Sequence, residues 1–192
     1  MWLFPIIKIS HGLIIFLGDI MIFIYNCYGG THSSSLASAI HLKKLPLDRI
    51  PTKQEILGTD YFNKLKYKDM GRIIFRGIDE DGNKVYSVGR GTSKVLIPCL
   101  ENLIKILHDE CGLSEKIIFS NMSPTVPPAM TFGGFFARGL GIEFIGVPFL
   151  VIGARQAYNR IIEIVNYTKE SAKTLNEPVL VLLNDKPQKH IR

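Results

Sequence analysis

The sequence predicts a single layered α/β domain: a mainly parallel sheet with helices on both faces and an inserted or edge β-hairpin. Three observations point there. Short apolar runs alternate with amphipathic stretches of helical period along most of the chain, the pattern of β-α units. The first such run ends in a glycine-rich loop that leads directly into a helix, as in many parallel α/β domains. The third is size and composition: 192 residues, of which 46% are hydrophobic and 21% charged, suffice for one domain with a sizeable core and argue against disorder or fibrous repeats.

In chain order, Ile22 to Asn26 reads as a buried strand and Ser33 to Leu45 as a helix stopped by Pro46. Pro46 to Lys68 is polar and interrupted, with a short helical piece around Lys53 to Leu57. Arg72 to Gly77 and Lys84 to Val88 flank Asp79-Glu80-Asp81-Gly82-Asn83, a hairpin around a glycine-containing turn. From Val95 to Cys111 the residues Leu96, Cys99, Leu100, Leu103, Ile104, Leu107 and Cys111 define one apolar helical face, capped by Gly112. Lys116 to Phe119 is the next strand, followed by a proline-rich loop, Ser123 to Pro128. Phe132 to Leu140 reads as a short helix, Ile142 to Ile152 as a strand broken near Pro148, Ala154 to Tyr167 as an amphipathic helix, and Val179 to Leu183 as the last strand.

The ends are set apart from the domain at 21–185. Residues 2–25 are strongly apolar, yet Asp19 interrupts them and the runs on either side fall short of the roughly 20 residues of a membrane span. Met21 leads at once into a strand, and the codons for Gly18-Asp19 can read GGAGAT, a purine-rich ribosome-binding sequence. Residues 1–20 therefore read as an over-extended start, with an anchor segment or an extra core element as alternatives. A basic tail occupies 186–192. A start at Met21 implies a cytoplasmic protein without membrane contact, and genuine residues 1–20 would imply an anchored one.

The net charge of +6 is a mild bias towards anionic partners and does not by itself make the chain a nucleic-acid binder, so no nucleic acid is expected. An anionic small molecule is the expected partner; a protein partner is unspecified. Three cysteines, Cys27, Cys99 and Cys111, have no paired spacing, which favours a reducing compartment. No cluster has metal-ligand spacing, so neither a metal nor another cofactor is expected. Cys99 and Cys111 read as core thiols.

The chemistry concentrates in Asn26-Cys27-Tyr28-Gly29-Gly30-Thr31-His32-Ser33-Ser34, which lies at the carboxyl edge of a parallel sheet, where ligands bind. Gly29 and Gly30 let backbone amides converge, and Thr31, Ser33 and Ser34 add hydroxyls at a helix start, so a phosphate would fit. Cys27 there has its thiolate favoured, the requirement for a nucleophile, and His32 offers a donor or an acid–base group. The same residues also permit a structural turn, with Cys27 as a small buried residue and Thr31 or Ser33 as an N-cap. His41 and Ser38 read as packing or surface. Arg90, in Gly89-Arg90-Gly91-Thr92-Ser93, is the preferred source of positive charge for the loop, with Arg138 at the end of Thr131 to Arg138 as the other candidate. Tyr25 to Ser33 and Tyr86 to Ser93 echo one another, which reads as convergent turn chemistry rather than a repeat.

The loop lacks the lysine and the glycine spacing of the nucleotide triphosphatase loop. It resembles instead the phosphate loop of low-molecular-weight phosphatases and of phosphocysteine sugar-phosphotransferase subunits, through Cys27, Gly30 at +3, Ser33 at +6 and Ser34 at +7. The phosphatases carry arginine at +6, where this chain has Ser33, whereas the sugar-transfer subunits carry Ser or Thr. From residue 21 to about 167, YNCYGGTHSS, VYSVGRG, FGGFFARGLG and IGVPFLVIGA together resemble an uncharacterised bacterial family of Firmicutes, catalogued as domain of unknown function 3189. The resemblance implies a cytoplasmic α/β protein with the first loop as the shared feature. Two functions remain open: binding of a phosphate-bearing small molecule or nucleotide at this loop, with Cys27 as nucleophile in phosphoryl transfer, or a non-catalytic interaction or regulatory role using Phe132, Phe135 and Phe136.

Overall fold

The computed structural model describes residues 20–186, so the expectations for residues 1–19 and for the tail at 187–192 lie outside the described residues. The elements are β1 (Met21–Cys27), α1 (Ser33–His41), α2 (Lys53–Gly58), β2 (Ile73–Ile78), β3 (Lys84–Gly89), α3 (Leu96–Cys111), β4 (Lys116–Asn121), α4 (Pro128–Gly134), a π-helical turn (Phe135–Gly139), α5 (Glu143–Lys173) and β5 (Val179–Leu182). Among the described residues, five strands form one sheet in the order β2-β3-β1-β4-β5. β1 runs parallel to β3 and β4, β4 runs parallel to β5, and among the described residues only the β2–β3 hairpin is antiparallel. The α/β class, the parallel sheet and the edge hairpin are as the sequence predicts.

Side-chain alternation along the strands divides the core. Phe23, Tyr25, Cys27, Val85 and Ile118 face α1 and α5, with α2 and α4 closing that layer. Ile24, Val88, Ile117, Phe119 and Val179 face α3. The crossovers β3-α3-β4 and β4-α5-β5 step the same way across the sheet on opposite faces, so they have opposite hands. One of them is the rare left-handed connection.

Three local expectations are corrected. Ile142 to Ile152 is not a strand: it belongs to α5, a 31-residue helix that runs through Pro148. Its buried positions, Gly146, Leu150, Val151, Gly153, Ala154, Ala157, Tyr158, Ile161, Ile164, Val165 and Thr168, repeat at three- and four-residue spacing once glycine counts as a core residue. Pro148 removes the amide that would pair with the Phe144 carbonyl, and it does so in the first turns of the helix, where Phe144 is exposed. On α3 the buried residues are Ile97 and Ile104, whereas Leu103 and Leu107 are exposed, and so are Cys99 and Cys111, which are not core thiols. α1 ends at His41 rather than Leu45, because Lys43 turns into the left-handed region at φ 54° before Pro46 is reached.

Candidate functional site

β1 delivers Cys27 to the carboxyl edge of the sheet, its side chain on the α1 face and almost fully buried. The Gly30 amide donates to Cys27 Sγ at 3.2 Å, and Ser34 Oγ lies 3.1 Å from the same sulfur. Gly30 has φ +67°, and a Cβ there would sit 2.6 Å from the Gly89 amide nitrogen; a Cβ on Gly89 would sit 2.7 Å from the Gly29 carbonyl carbon. The two glycine loops are thus packed backbone on backbone, and they are stitched by Arg90 N–H to Cys27 O and Gly91 N–H to Tyr28 O, both 2.9 Å. The echo between Tyr25–Ser33 and Tyr86–Ser93 follows from this adjacency, since each loop needs the other's glycine.

The first turn of α1 carries Ser33, Ser34 and Ser35, all buried. His32 occupies the N-cap without a side-chain cap, so neither Thr31 nor Ser33 caps the helix. Thr31 Oγ1 instead donates to the Tyr61 carbonyl and accepts from the Leu65 amide, which ties the loop to the segment after α2. Ser35 Oγ accepts from Arg76. Ser33 Oγ is buried and has no hydrogen-bond partner among the described residues. Burial lowers the His32 pKa to about 4, with the Asn63 hydrogen bond opposing and Arg138 reinforcing the shift. His32 is therefore neutral near pH 7, its Nε2–H donating to Asn63, and it offers no cation to an anionic ligand.

Positive charge reaches the loop from elsewhere. Arg138 lies on the π-helical turn, with Nη1 3.4 Å from where a Cβ on Gly29 would be. Burial lowers its pKa, while Asp69 and Cys27 pull it back up. The turn is fixed by unusually close packing of α4 on α5: added Cβ atoms on Gly133, Gly146 and Gly153 would come within 2.4–2.6 Å of Leu150, Ala137 and Met130 backbone nitrogens. π-helical turns are rare and are frequent at functional sites. Arg76, buried beneath the loop, donates to Gly30 O, Ser35 Oγ, Ser87 Oγ and Asp60 O and stacks on the Tyr61 ring. Burial lowers its pKa to about 10. Arg90, the preferred candidate from sequence, instead donates to Ser123 Oγ at 3.3 Å and lines a groove on the α3 side.

Sequence reasoning missed Arg76, whose place in an ordinary strand pattern carries no signal. It also missed a buried chain from Tyr25 OH to His41 Nδ1 (2.7 Å) and from His41 Nε2–H to Asp79 (2.9 Å). Burial raises the Tyr25 pKa and lowers that of His41, which keeps both neutral around the Asp79 carboxylate. This chain ties β1 and α1 to the hairpin turn.

A family-wide profile described as Protein of unknown function (DUF3189) matches residues 22–170, well over half of the chain. The chain belongs to that family. No curated protein and no solved structure matches it significantly. In this DUF3189 chain the matched span contains Cys27, the α1 start, Arg76 and Arg138, so the whole constellation lies within the family's domain. Among the described residues, no group of three or more His, Cys, Asp or Glu could hold a metal ion, and no helix is long and apolar enough to cross a membrane.

Proposed function

We propose that this protein binds the phosphate of a small molecule, such as a nucleotide, at the Cys27–Ser34 loop, with Arg138 supplying the charge the loop lacks. One observation carries the reading: a donating Gly30 amide and the Ser34 hydroxyl meet the buried Cys27 sulfur at a helix start that has no side-chain cap and whose first residue, Ser33, carries an unpartnered buried hydroxyl. Helix-start amides and a guanidinium complement a phosphate dianion. Arg138 stands in for the +6 arginine of the phosphatases that the loop resembles. Within this reading Cys27 Sγ is the nucleophile: the S–P bond forms as the P–O ester bond breaks, and the proton the thiol gives up passes through water to the departing alkoxide. A second water then attacks phosphorus, releasing inorganic phosphate and restoring the sulfur.

Thermal unfolding with inorganic phosphate tests the reading, since a ligand at one hundred times its Kd stabilises by about 2.7 kcal/mol. Ser33→Ala and Arg138→Ala should each fold and lose most of the phosphate response. An undiminished response in both variants would overturn it. The exposure of Phe132 (58%) and Phe135 (56%) favours the second reading, an interaction module, which phosphate-insensitive unfolding of the wild type would support.

A further inference from the structure

We infer a second ligand site, on the opposite face of the sheet from Cys27, in the open groove of about 650 Å³ between the start of α3 and β5. Its ligand is an anionic small molecule with a planar, hydrogen-bonding ring, the chemistry of a nucleoside monophosphate. The groove lies at the carboxyl ends of β1 and β4, where open α/β sheets bind ligands, and its volume is that of a small-molecule site.

The deciding residue is Asn26. It is only 2% exposed, it lines the groove, and its carboxamide makes no hydrogen bond to any described residue. That carboxamide opens to the groove with both its donors and its acceptor unclaimed by the described residues. That pairing matches the amide-like edge of a heterocycle, which also donates and accepts, rather than an inorganic anion, which only accepts. Ile97 and Val181 supply apolar walls for a ring, and Arg90 and Lys94 supply positive charge at the rim. Glu101, the acidic residue of the lining, is held by Lys105 at 2.7 Å. Adjacent residues of β1 point to opposite faces, Cys27 to the α1 side and Asn26 to the groove, so the two are separate sites on one sheet edge. The inference therefore does not rest on the phosphate reading of the Cys27 loop.

Titrations of the full chain with adenosine, guanosine, cytidine and uridine 5′-monophosphate, each compared with inorganic phosphate at equal concentration, test the groove. At least one nucleotide should stabilise the protein more than phosphate does. Asn26→Leu, and independently the exposed Lys94→Glu, should weaken that excess at least tenfold, and Ser33→Ala should leave it intact. The inference is overturned if no nucleotide exceeds phosphate. It is equally overturned if the excess disappears in Ser33→Ala and survives in Lys94→Glu, which would seat the nucleotide at the Cys27 loop. Absence of any phosphate effect alongside a nucleotide effect lost in Lys94→Glu would support the groove while sinking the loop reading.

Discussion

At Gly30 the backbone conformation and the packing exclude every other residue, because φ is +67° and a Cβ would meet the Gly89 backbone. Gly30→Ala should cost about 2–5 kcal/mol in urea denaturation, from left-handed strain and a backbone clash together, so it cannot separate binding from folding. Ser33 can. Its hydroxyl has no partner to lose, and Ser33→Ala should leave stability unchanged or raise it by up to about 1 kcal/mol while weakening phosphate binding. Cys27, 4% exposed, should react with iodoacetamide more slowly than the exposed Cys99 and Cys111, and peptide mapping should show phosphate slowing Cys27 alone. His32 gives a pH prediction. Its folded pKa of about 4 lies below the unfolded value near 6.5, so as pH falls the unfolded chain takes the proton first. The stabilisation from neutral His32, of order 3 kcal/mol, is fully present above pH 6.5 and lost between 6.5 and 4. Denaturation curves at pH 7 and 4.5 should show a smaller difference for His32→Gln than for the wild type.

Among the elements, α5 separates what pattern reading can see from what it cannot. β1 and the hairpin were legible because each depends on a local signal, a continuous apolar run and a glycine-containing turn, and the short α2 expected around Lys53 to Leu57 is opened by a Thr52–Glu55 capping box. Ile142 to Ile152 misleads because its β-branched and aromatic residues around a proline resemble a broken strand, while the residues that decide its helical fate, Gly146 and Gly153, are core positions without side chains. Apolar residues wrap more than one face of α3, which hid its true seam at Ile97 and Ile104. Gly153→Val should cost about 3 kcal/mol or more, since its Cβ would sit 2.5 Å from the Met130 nitrogen, and it should also reduce phosphate binding by moving the turn that holds Arg138. An unaltered phosphate affinity in a folded Gly153→Val protein would detach Arg138 from the α4–α5 packing.

For the whole molecule, the Cys27 loop was legible because its contacts are local, Gly30 to Cys27 and Ser34 to Cys27 lying within seven residues. Its cations were not: Arg76 reaches Gly30 across 46 residues of chain, and Arg138 arrives only after the β3-α3-β4 crossover, in the connection from β4 to α5 that lays α4 back over the face of Cys27. Both hydrophobic clusters share the one sheet, so the layers should unfold together. The contacts of the first strand also bear on the start of the domain. β1 begins at Met21, whose backbone nitrogen donates to Asn83 at 3.0 Å, and the family match begins at residue 22. A chain starting at Met21 and otherwise complete should therefore show a single unfolding transition, with a Tm within about 4 °C of the full chain, the shift expected for roughly 1 kcal/mol at this size. Calorimetric and van't Hoff enthalpies should agree for both chains. Loss of cooperativity in the shorter chain would mean that residues 1–20 complete the core, and the boundary drawn at Met21 would be wrong.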